Sequence, residues 1–521
     1  MIEPTQRALP ILLARNAEEA PSRAFLADAD GVLSRAEVWE HAQRLGSAFI
    51  GLGLEPGDRV AIMLDNCREF VLAWFGLAAA GLVEVPLNPA ARDERLVHSM
   101  THSGASVLIV HSKYMHSVEE VASDLPELRT VIIVGERVST GFQLVEFAAL
   151  SESGIRELPT VTPADTAAIM YTSGSTGLPK GVLVPHGQHA MNGWQAVRQA
   201  EITEDDRIFV TLPLHHNMAQ GYGVMPGVLA GAEIYISTGF KRATFWDEVI
   251  SSKSTVFTII GSILALLATV PDPETNPLRV AFGVPIPPSL HEELERRWGI
   301  RIIDGYGSTE GTIPAWGSLR GDRAIGSSGK IVPEFDVSIL DEDDVVLDPG
   351  EIGEICIRSR EPFSMFQGYF RDPERTLGAL RNLWFHSGDR GRIDEHGNLW
   401  FEGRNDDIIR RFGELISAKE LELAIAQHDS VELVACYGIP SDVVGQEVMA
   451  GVVVRNGHVP DADALRDFCR ARLPEFAVPR FVEFLEELPM TPTGKVEKHK
   501  LRQRGVTVAT SDARSALKSK D

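Results

Sequence analysis

Cysteine is scarce in this chain, and the cysteines that are present fit no common site. Cys67, Cys356, Cys436 and Cys469 lie far apart in a sequence of 521 residues. Their spacing matches neither a zinc-binding motif nor a disulfide framework. A reducing compartment is therefore the default expectation.

Long apolar runs are also missing. The longest run, Val71–Val83, has thirteen residues, whereas a membrane-spanning helix needs about 20. The run predicts a buried helix that leads into a short strand. Residues 1–6 lack the basic-then-apolar order of a signal peptide. We therefore expect a cytoplasmic protein with no membrane partner.

Positive charge is in the minority, with 50 Lys and Arg against 73 Asp and Glu and a formal net charge of −23. Because nucleic acids and anionic membranes attract basic surfaces, nonspecific binding to either is disfavoured, and no nucleic-acid partner is expected. The hydrophobic content of 44% and the charged content of 24% are typical of a soluble globular protein. The chain is too long for one ordinary core, so we expect at least two domains.

Apolar segments of strand length alternate with segments of helical spacing through the first 260 residues. This alternation predicts βαβ units and a largely parallel sheet, and hence an α/β fold class. The predicted strands are 59–64, 83–87, 106–110, 130–134, 167–170, 181–184, 208–212, 233–236 and 255–260.

The last two hundred residues change character. Short strands and turns at 327–401 predict a mainly antiparallel, barrel-like part, and polar residues near 403–407 mark a boundary before about a hundred residues of α+β pattern. The predicted division is an N-terminal domain at 1–403, a hinge at 404–408, a mobile C-terminal domain at 409–506 and a disordered tail at 507–521.

One stretch combines glycines, hydroxyl groups and a lysine between two predicted strands: Tyr171–Gly181, which reads YTSGSTGLPKG. Glycines allow tight turns, and successive backbone N–H groups in such a turn form a nest for an anion. The Gly-x-x-x-x-Gly-Lys-[Ser/Thr] spacing of the Walker loop is missing. A flexible linker is the alternative, but the lysine and the flanking strands favour a polyphosphate site.

Five further motifs carry candidate chemistry. In the first, neighbouring His215 and His216 point to opposite faces of an extended segment, which disfavours joint metal ligation. Each of the other four, taken alone, is compatible with an ordinary turn or a solvated charge. They are DGYGSTEG at 304–311, WFHSGD at 384–389, FEGRNDDIIR at 401–410 and PMTPTGKVEK at 489–498.

In their order and spacing these motifs resemble the adenylate-forming superfamily, which contains acyl-CoA synthetases, peptide-synthetase adenylation domains and luciferases. The resemblance runs from about residue 10 to residue 504 and is strongest to the carnitine/crotonobetaine-CoA ligase branch. It implies a large N-terminal domain of two α/β subdomains plus a β-barrel, and a small mobile α+β C-terminal domain. It also implies an AMP-forming ligase: a carboxylate attacks the α-phosphate of MgATP, and a thiol, usually coenzyme A, then displaces AMP.

The resemblance implies roles for individual residues. Lys495, Thr309 and Glu310 are implied to be catalytic, with Glu310 as the Mg²⁺ ligand, and Asp406 is the implied hinge. The residues implied to bind ATP are Thr172, Ser173, Gly174, Ser175, Thr176, Gly177, Lys180, Tyr306, Asp389 and Arg404. The residues implied to line the acid pocket are His216, Asn217, Met218, Gly261, Ser262, Gly307 and Gly311.

The implied acid pocket is mostly apolar or small, with no evident partner for a quaternary amine, so the expected substrate is a small or aromatic carboxylic acid. Phe412 and Leu415 stand where close relatives commonly carry Gly or Arg, and then Asn. Because that loop faces the thiol tunnel in the family, three outcomes stay open: transfer to coenzyme A, loading of a carrier protein, and diazotisation of an aryl amine through adenylated nitrite. A homodimer also stays open, whereas the complete motif set disfavours an inactive binding module.

Overall fold

The fold is described by a computed structural model over residues 2–172, 179–284, 286, 288–320, 323–404, 407–411, 414–441, 445–490 and 496–513. The side chains at positions 289, 404, 408, 410, 414 and 415 lie outside this description.

Helices and strands alternate along most of the chain. The helices are α1 Leu9–Glu19, α2 Arg35–Gly51, α3 Arg68–Ala79, α4 Asp93–Ser103, α5 Met115–Glu120, α6 Phe147–Ser151, α7 His186–Gln199, α8 Asn217–Ala219, α9 Met225–Ala230, α10 Phe245–Ser252, α11 Gly261–Leu267, α12 Pro288–Trp298, α13 Pro373–Ala379, α14 Ala418–Ile425, α15 Ala462–Arg470 and α16 Lys498–Arg504. The strands are β1 Ala24–Asp28, β2 Gly31–Ser34, β3 Arg59–Met63, β4 Val83–Pro86, β5 Val107–His111, β6 Thr130–Val134, β7 Gln143–Glu146, β8 Thr166–Thr172, β9 Lys180–Pro185, β10 Arg207–Val210, β11 Glu233–Ile236, β12 Val256–Ile259, β13 Val280–Gly283, β14 Arg301–Ser308, β15 Thr312–Trp316, β16 Lys330–Ile331, β17 Phe335–Leu340, β18 Gly353–Ser359, β19 Phe385–Ile393, β20 Leu399–Arg404, β21 Ile408–Arg411, β22 Glu414–Ser417, β23 Val431–Ser441, β24 Gly445–Val454, β25 Phe481–Phe484 and β26 Ser511–Asp512. Over the described ranges, no helix combines the length and the apolar character needed to cross a membrane.

The first sheet has seven strands in the order β7-β6-β5-β3-β4-β8-β9. Its strands run parallel except for the antiparallel pair β8–β9. The predicted strands are therefore confirmed in this sheet. Helix α3, which falls in the longest apolar run, is buried along nearly its whole length, and β4 follows it as expected.

The second sheet has nine strands in the order β16-β15-β14-β13-β12-β10-β11-β1-β2. Its centre is parallel, whereas β2, β15 and β16 run antiparallel at the two edges. One large apolar cluster joins residues of both sheets.

Helix α7 is buried along most of its length, although many of its side chains are polar. The fold therefore places hydrogen-bonding groups inside this core.

The third sheet contains four antiparallel strands, β17 to β20 in chain order. This sheet is the part that was predicted to be antiparallel and barrel-like. A fourth sheet, with the order β22-β21-β24-β25-β26 and β23 beside β24, forms a smaller unit with α14 and α15 and has its own apolar core. The mixed α/β architecture with a small C-terminal unit is as predicted.

The predicted disordered tail is partly wrong. Strand β26 pairs antiparallel with β25. Arg466 is 2% exposed and donates a hydrogen bond of 2.7 Å to the carbonyl oxygen of Ser511. Because a buried guanidinium needs acceptors, this contact gives residues 511–512 a structural role that their composition did not reveal. Residues 514–521 lie outside the described ranges.

Candidate active site

Strands β8 and β9 frame the glycine-rich motif. They pair antiparallel, with Thr172 directly opposite Lys180. The predicted phosphate-binding residues Ser173, Gly174, Ser175, Thr176 and Gly177 lie outside the described residues, so their roles stay predictions. Within the described ranges, the Thr172 Oγ1 atom is buried and has no hydrogen-bond partner.

Lys180, Glu310 and Tyr369 meet in a group that we call the lysine cluster. Lys180 Nζ lies 2.7 Å from Glu310 Oε1 and 2.9 Å from the Tyr369 hydroxyl, which donates to the same Glu310 oxygen at 3.0 Å. The Lys180 ammonium also lies 4.4 Å from the centre of the Tyr369 ring. Burial, and then the Glu310 carboxylate, raise the pKa of Tyr369 well above its usual range. The phenol therefore stays protonated and can donate.

Tyr369 is a site residue that sequence reasoning missed. Residues 367–370 run beside β9, with Phe370 N donating to Gly181 O at 2.8 Å and Leu183 N donating to Gly368 O at 3.0 Å. This pairing brings the tyrosine to Lys180, which lies far away in sequence. Nothing in the local spacing around Tyr369 pointed to the lysine.

Glu310 has the chemistry of a Mg²⁺ ligand. Mg²⁺ prefers carboxylate oxygens and usually binds one or two of them together with substrate phosphates. Glu310 is 6% exposed, and its Oε1 atom contacts Lys180 and Tyr369. A Mg²⁺ ion that bound to this oxygen would displace these two contacts. Such an ion would neutralise charge on the phosphates. Thr309, next to it, accepts a hydrogen bond of 2.6 Å from Gln188 through its backbone oxygen.

Tyr306 and Asp389 form the centre of a second group, the aspartate cluster, which also includes Glu354 and His386. The Tyr306 hydroxyl donates to Asp389 Oδ2 at 2.8 Å, and both residues are 5% exposed. Asp389 also stands opposite Arg404 in the register of β19 and β20. The structure thus brings together Tyr306 and Asp389, which the family resemblance implies to bind ATP.

Glu354 and His386 hold the turn that precedes Asp389. One Glu354 oxygen accepts from Gly388 N at 2.9 Å, and the other lies 3.0 Å from His386 Nδ1. Ser387 Oγ accepts from Asp389 N at 3.1 Å. Gly388 has a φ of +73°, a conformation that glycine adopts without the strain of a Cβ atom. Glu354 is a further residue that the sequence did not single out.

Cys356 lies beside the same turn. Its Sγ atom is 3.3 Å from His386 Nδ1, and with Glu354 the three residues form a group that could in principle hold a metal ion. Arg381 pairs with Glu354 at 3.4 Å and with Asp344 at 3.1 Å. Because the Arg381 guanidinium already balances the carboxylate charge, we interpret Glu354, Cys356 and His386 as a hydrogen-bonded group that supports the turn and not as a metal site.

Phe401 packs on Tyr306, and Asp304 lies two residues before Tyr306 in β14. The Phe401 ring stacks on the Tyr306 ring with centroids 5.7 Å apart. Asp304 Oδ1 accepts from the backbone nitrogens of Gly305 and Ile286 at 2.8 and 3.0 Å. Burial raises the pKa of Asp304 to about 7. Strand β14 runs through the first part of the DGYGSTEG motif up to Ser308, so that part of the motif is not the ordinary turn with which the sequence alone is compatible.

The predicted acid-pocket residues lie at the starts of helices and on the β14–β15 hairpin. Asn217 and Met218 are in α8, Gly261 and Ser262 open α11, and Gly307 is in β14, whereas Gly311 is buried and His216 is the residue before α8. A Cβ atom at Gly307 would lie 2.0 Å from Thr312 O, so the hairpin admits no side chain there. The structure shows where these segments lie, but their positions alone do not identify the carboxylic acid substrate.

Two buried amides adjoin this region, although the sequence suggested a mostly apolar pocket. Asn192 Nδ2 donates to Asn217 Oδ1 at 3.1 Å, and Tyr222 donates to Asn192 Oδ1 at 3.0 Å. A Cβ atom at Gly221 would lie 2.6 Å from Asn192 Nδ2. The glycine therefore leaves room for the amide pair. Asn192 was not predicted, because its helix α7 carries no motif.

A buried carboxyl group lies nearby. Glu84 on β4 is fully buried and accepts from Gln220 Nε2 at 2.9 Å. Burial raises the pKa of Glu84 well above its usual range. Gln220 begins a π-helical turn, Gln220–Val224, directly after α8, and such turns are frequent at functional sites.

Several predicted residues lie outside the described ones. These are Lys495, the hinge Asp406, Phe412 and the side chains of Arg404 and Leu415. Their roles, and the domain boundaries drawn near them, stay predictions.

Comparison with known proteins defines the family. The family model for AMP-binding enzymes matches residues 13–370, and the model for the C-terminal domain of AMP-binding enzymes matches residues 420–495. The chain therefore belongs to the AMP-binding enzyme family and is an AMP-forming ligase. The sequence-based recognition of the adenylate-forming superfamily is confirmed.

The similar proteins include CoA ligases. The crotonobetaine/carnitine–CoA ligase of Salmonella choleraesuis (strain SC-B67) is 30% identical over 479 residues, which covers 90% of this chain and 93% of that protein. The anthranilate CoA ligase AuaEII, in complex with anthranoyl-AMP, matches with a TM-score of 0.86 at 26% identity over 96% of this chain and 98% of that one. ATP-bound MatB from Rhodopseudomonas palustris matches with a TM-score of 0.86 at 25% identity, over 96% of this chain and 99% of that one. Apo MatB covers the same shares at 26% identity, with a TM-score of 0.75.

Proposed function

We propose that this ligase adenylates a small or aromatic carboxylic acid with MgATP and transfers the acyl group to coenzyme A. In the first step a carboxylate oxygen attacks the α-phosphorus, the bond to the β-phosphate oxygen breaks, and pyrophosphate leaves. In the second step the coenzyme A sulfur attacks the acyl carbon and the bond to AMP breaks. The thiol proton passes to solvent or to the departing phosphate.

The lysine cluster is the observation that carries this proposal. It places an ammonium group, a carboxylate and a phenol beside the predicted phosphate loop. Charge that develops on a transferring phosphoryl group is stabilised by such cations and by a carboxylate-held Mg²⁺. The aspartate cluster supports it, since a buried carboxylate beside a tyrosine ring suits a ribose and a purine. We place Lys495 between the carboxylate and the α-phosphate, and Asp406 at a hinge between domains 1–403 and 409–506.

The acceptor and the acid follow from the relatives. The curated relatives and the solved structures named above include ligases of coenzyme A, which favours coenzyme A over a carrier protein or nitrite chemistry.

AuaEII acts on anthranilate, an aromatic acid. The buried Asn192–Asn217 pair is consistent with an acid that carries a hydrogen-bonding substituent. The carboxyl group described near these amides, Glu84, is fully buried, and burial raises its pKa. Because a raised pKa disfavours the charged form that would pair with a quaternary ammonium, an aromatic or small acid is favoured over carnitine.

The first experiment is ATP–pyrophosphate exchange with a panel of small and aromatic acids, nitrite and carnitine, without an acceptor. We expect exchange with one class of organic acid, and thioester formation when coenzyme A is added. Lys495→Ala is expected to abolish exchange while nearly preserving ATP binding, whereas the exposed Lys241→Ala should behave as wild type. Exchange with nitrite and with no organic acid would contradict the proposal.

A further inference from the structure

Helix α4 contacts residues on both sides of the glycine-rich motif. His102 Nδ1 lies 2.8 Å from the Tyr171 hydroxyl, and His98 Nε2 lies 2.8 Å from the Pro179 carbonyl oxygen. The two imidazole rings stack with centroids 5.2 Å apart. Residues three or four apart share one face of a helix. One face of α4 therefore supports the strand ends that lead into and out of residues 173–178.

The same helix also contacts the C-terminal part of the chain. Arg95, three residues before His98, pairs with Glu497 at 3.2 Å. Arg95 is about half-exposed, whereas the Glu497 side chain is 7% exposed. The pair thus connects the large N-terminal part to a segment that lies 402 residues further along the chain.

Glu497 is firmly attached to the C-terminal unit. Its backbone nitrogen donates to Pro489 O at 2.7 Å, and Met490 and Val496 form an antiparallel bridge. The next residue, Lys498, pairs with Glu422 of α14 at 2.9 Å. A contact that restrains the Glu497 side chain therefore also restrains the C-terminal unit. Lys495 is only two residues before Glu497 in the sequence.

We propose that the Arg95–Glu497 pair positions the C-terminal domain against helix α4 for the adenylation step. The inference rests on the proposed function, because it needs two half-reactions that use different domain orientations. The chain superposes better on ATP-bound MatB, with a TM-score of 0.86, than on apo MatB, with 0.75. Arg95 and Glu497 are positioning residues. They would hold the orientation in which ATP reacts and would play no part once the domain has rotated for thiol transfer.

The test compares the two half-reactions in Arg95→Glu. Adenylation is measured as ATP–pyrophosphate exchange with the acid identified by the panel, and transfer is measured as thioester formation from supplied acyl-adenylate and coenzyme A. An exposed ion pair changes an equilibrium up to about fivefold; here the Glu497 side chain is buried, and charge reversal adds repulsion. We expect exchange to fall about tenfold, with thioester formation within twofold of wild type. Arg95→Lys should retain most of the exchange rate.

Arg137→Glu is the control for charge reversal of a surface arginine, because Arg137 pairs with Glu146 at 2.9 Å inside the large domain and both side chains are exposed. It should leave both half-reactions unchanged. A double-mutant cycle with Arg95→Ala and Glu497→Gln should show effects that do not multiply. An equal fall in both half-reactions, or exchange within twofold of wild type in Arg95→Glu, would overturn the inference. Absence of exchange with every acid in the wild-type protein would instead overturn the proposed function.

Discussion

The lysine cluster and the aspartate cluster are organised in different ways. In the lysine cluster, each functional group is bonded to another functional group: Lys180 to Glu310, and Tyr369 to both. In the aspartate cluster, Asp389 accepts a hydrogen bond from Tyr306, and the turn before it is also supported by groups outside the predicted site, chiefly Glu354. A ligand must therefore replace contacts between the functional groups in the first cluster, whereas in the second cluster the turn that holds Asp389 is formed by groups that the ligand does not displace.

This difference affects the free energy of ligand binding in each cluster. When ATP binds, Lys180 exchanges Glu310 for a phosphate, and Glu310 exchanges Lys180 for Mg²⁺. Breaking the Lys180–Glu310 contact therefore costs little free energy, because each group gains a new partner of opposite charge. The aspartate cluster incurs its ordering cost during folding, so the nucleoside binds a rigid site. The two clusters should consequently respond to mutation with different kinetic signatures, which the following predictions test in order of decreasing effect.

Glu310→Gln should have the largest effect. The change removes the carboxylate proposed to hold Mg²⁺ and leaves Lys180 without its anion. Loss of one preorganised electrostatic group costs about 10²–10³-fold in turnover, so kcat for exchange should fall by about that factor while KM for ATP changes less. Steady-state exchange kinetics measure both. A variant that retains a third of the wild-type kcat would refute the role of Glu310.

Asp389→Asn should act on nucleotide affinity instead. A hydrogen bond to a charged group contributes about 1.5–3 kcal/mol, which corresponds to about 10–100-fold in KM for ATP. KM for the acid should stay near its wild-type value. If kcat fell as far as in Glu310→Gln while KM for ATP stayed constant, the distinction between the two clusters would be lost.

Glu354→Gln should reproduce the Asp389→Asn signature in weaker form. Glutamine keeps the shape and one acceptor, but it weakens the contacts with His386 and Arg381 that hold the turn. We expect KM for ATP to rise about threefold to tenfold, in line with about 1 kcal/mol for one hydrogen bond. Glu146→Gln, which weakens an exposed pair with Arg137, is the matched control. Equal effects in the two variants would argue against a positioning role for Glu354.

Asp304→Asn should have the smallest effect, visible only in its pH dependence. Burial raises the pKa of Asp304 from 3.8 to about 7. Between about pH 4 and pH 7 the folded protein keeps a proton that the unfolded chain has lost, so the wild-type protein loses stability as the pH rises through this window. Asparagine does not ionise. The Tm of the variant relative to wild type should therefore rise by roughly 2–4 °C from pH 4 to pH 7 and then level off. A difference independent of pH would contradict this assignment.

Local pattern was sufficient for much of the fold. The strands on either side of the glycine-rich motif, the buried helix α3 and the strand after it were all predicted, because apolar periodicity depends on neighbours in sequence. The tail was not, since β26 is defined by pairing with β25 and by its contact with Arg466. Neither partner can be read from the tail itself.

The sequence by itself determined the family and the AMP-forming chemistry, because the order and spacing of its motifs resemble those of that family, and the resemblance predicted roles for Lys180, Tyr306, Glu310 and Asp389. Only the tertiary structure decided that Tyr369 joins Lys180, that Glu354 supports Asp389, and that α4 links the strand ends of the motif to Glu497. The physical reason is distance along the chain. Contacts between residues separated by tens to hundreds of positions depend on how the sheets assemble, and no local pattern encodes that assembly.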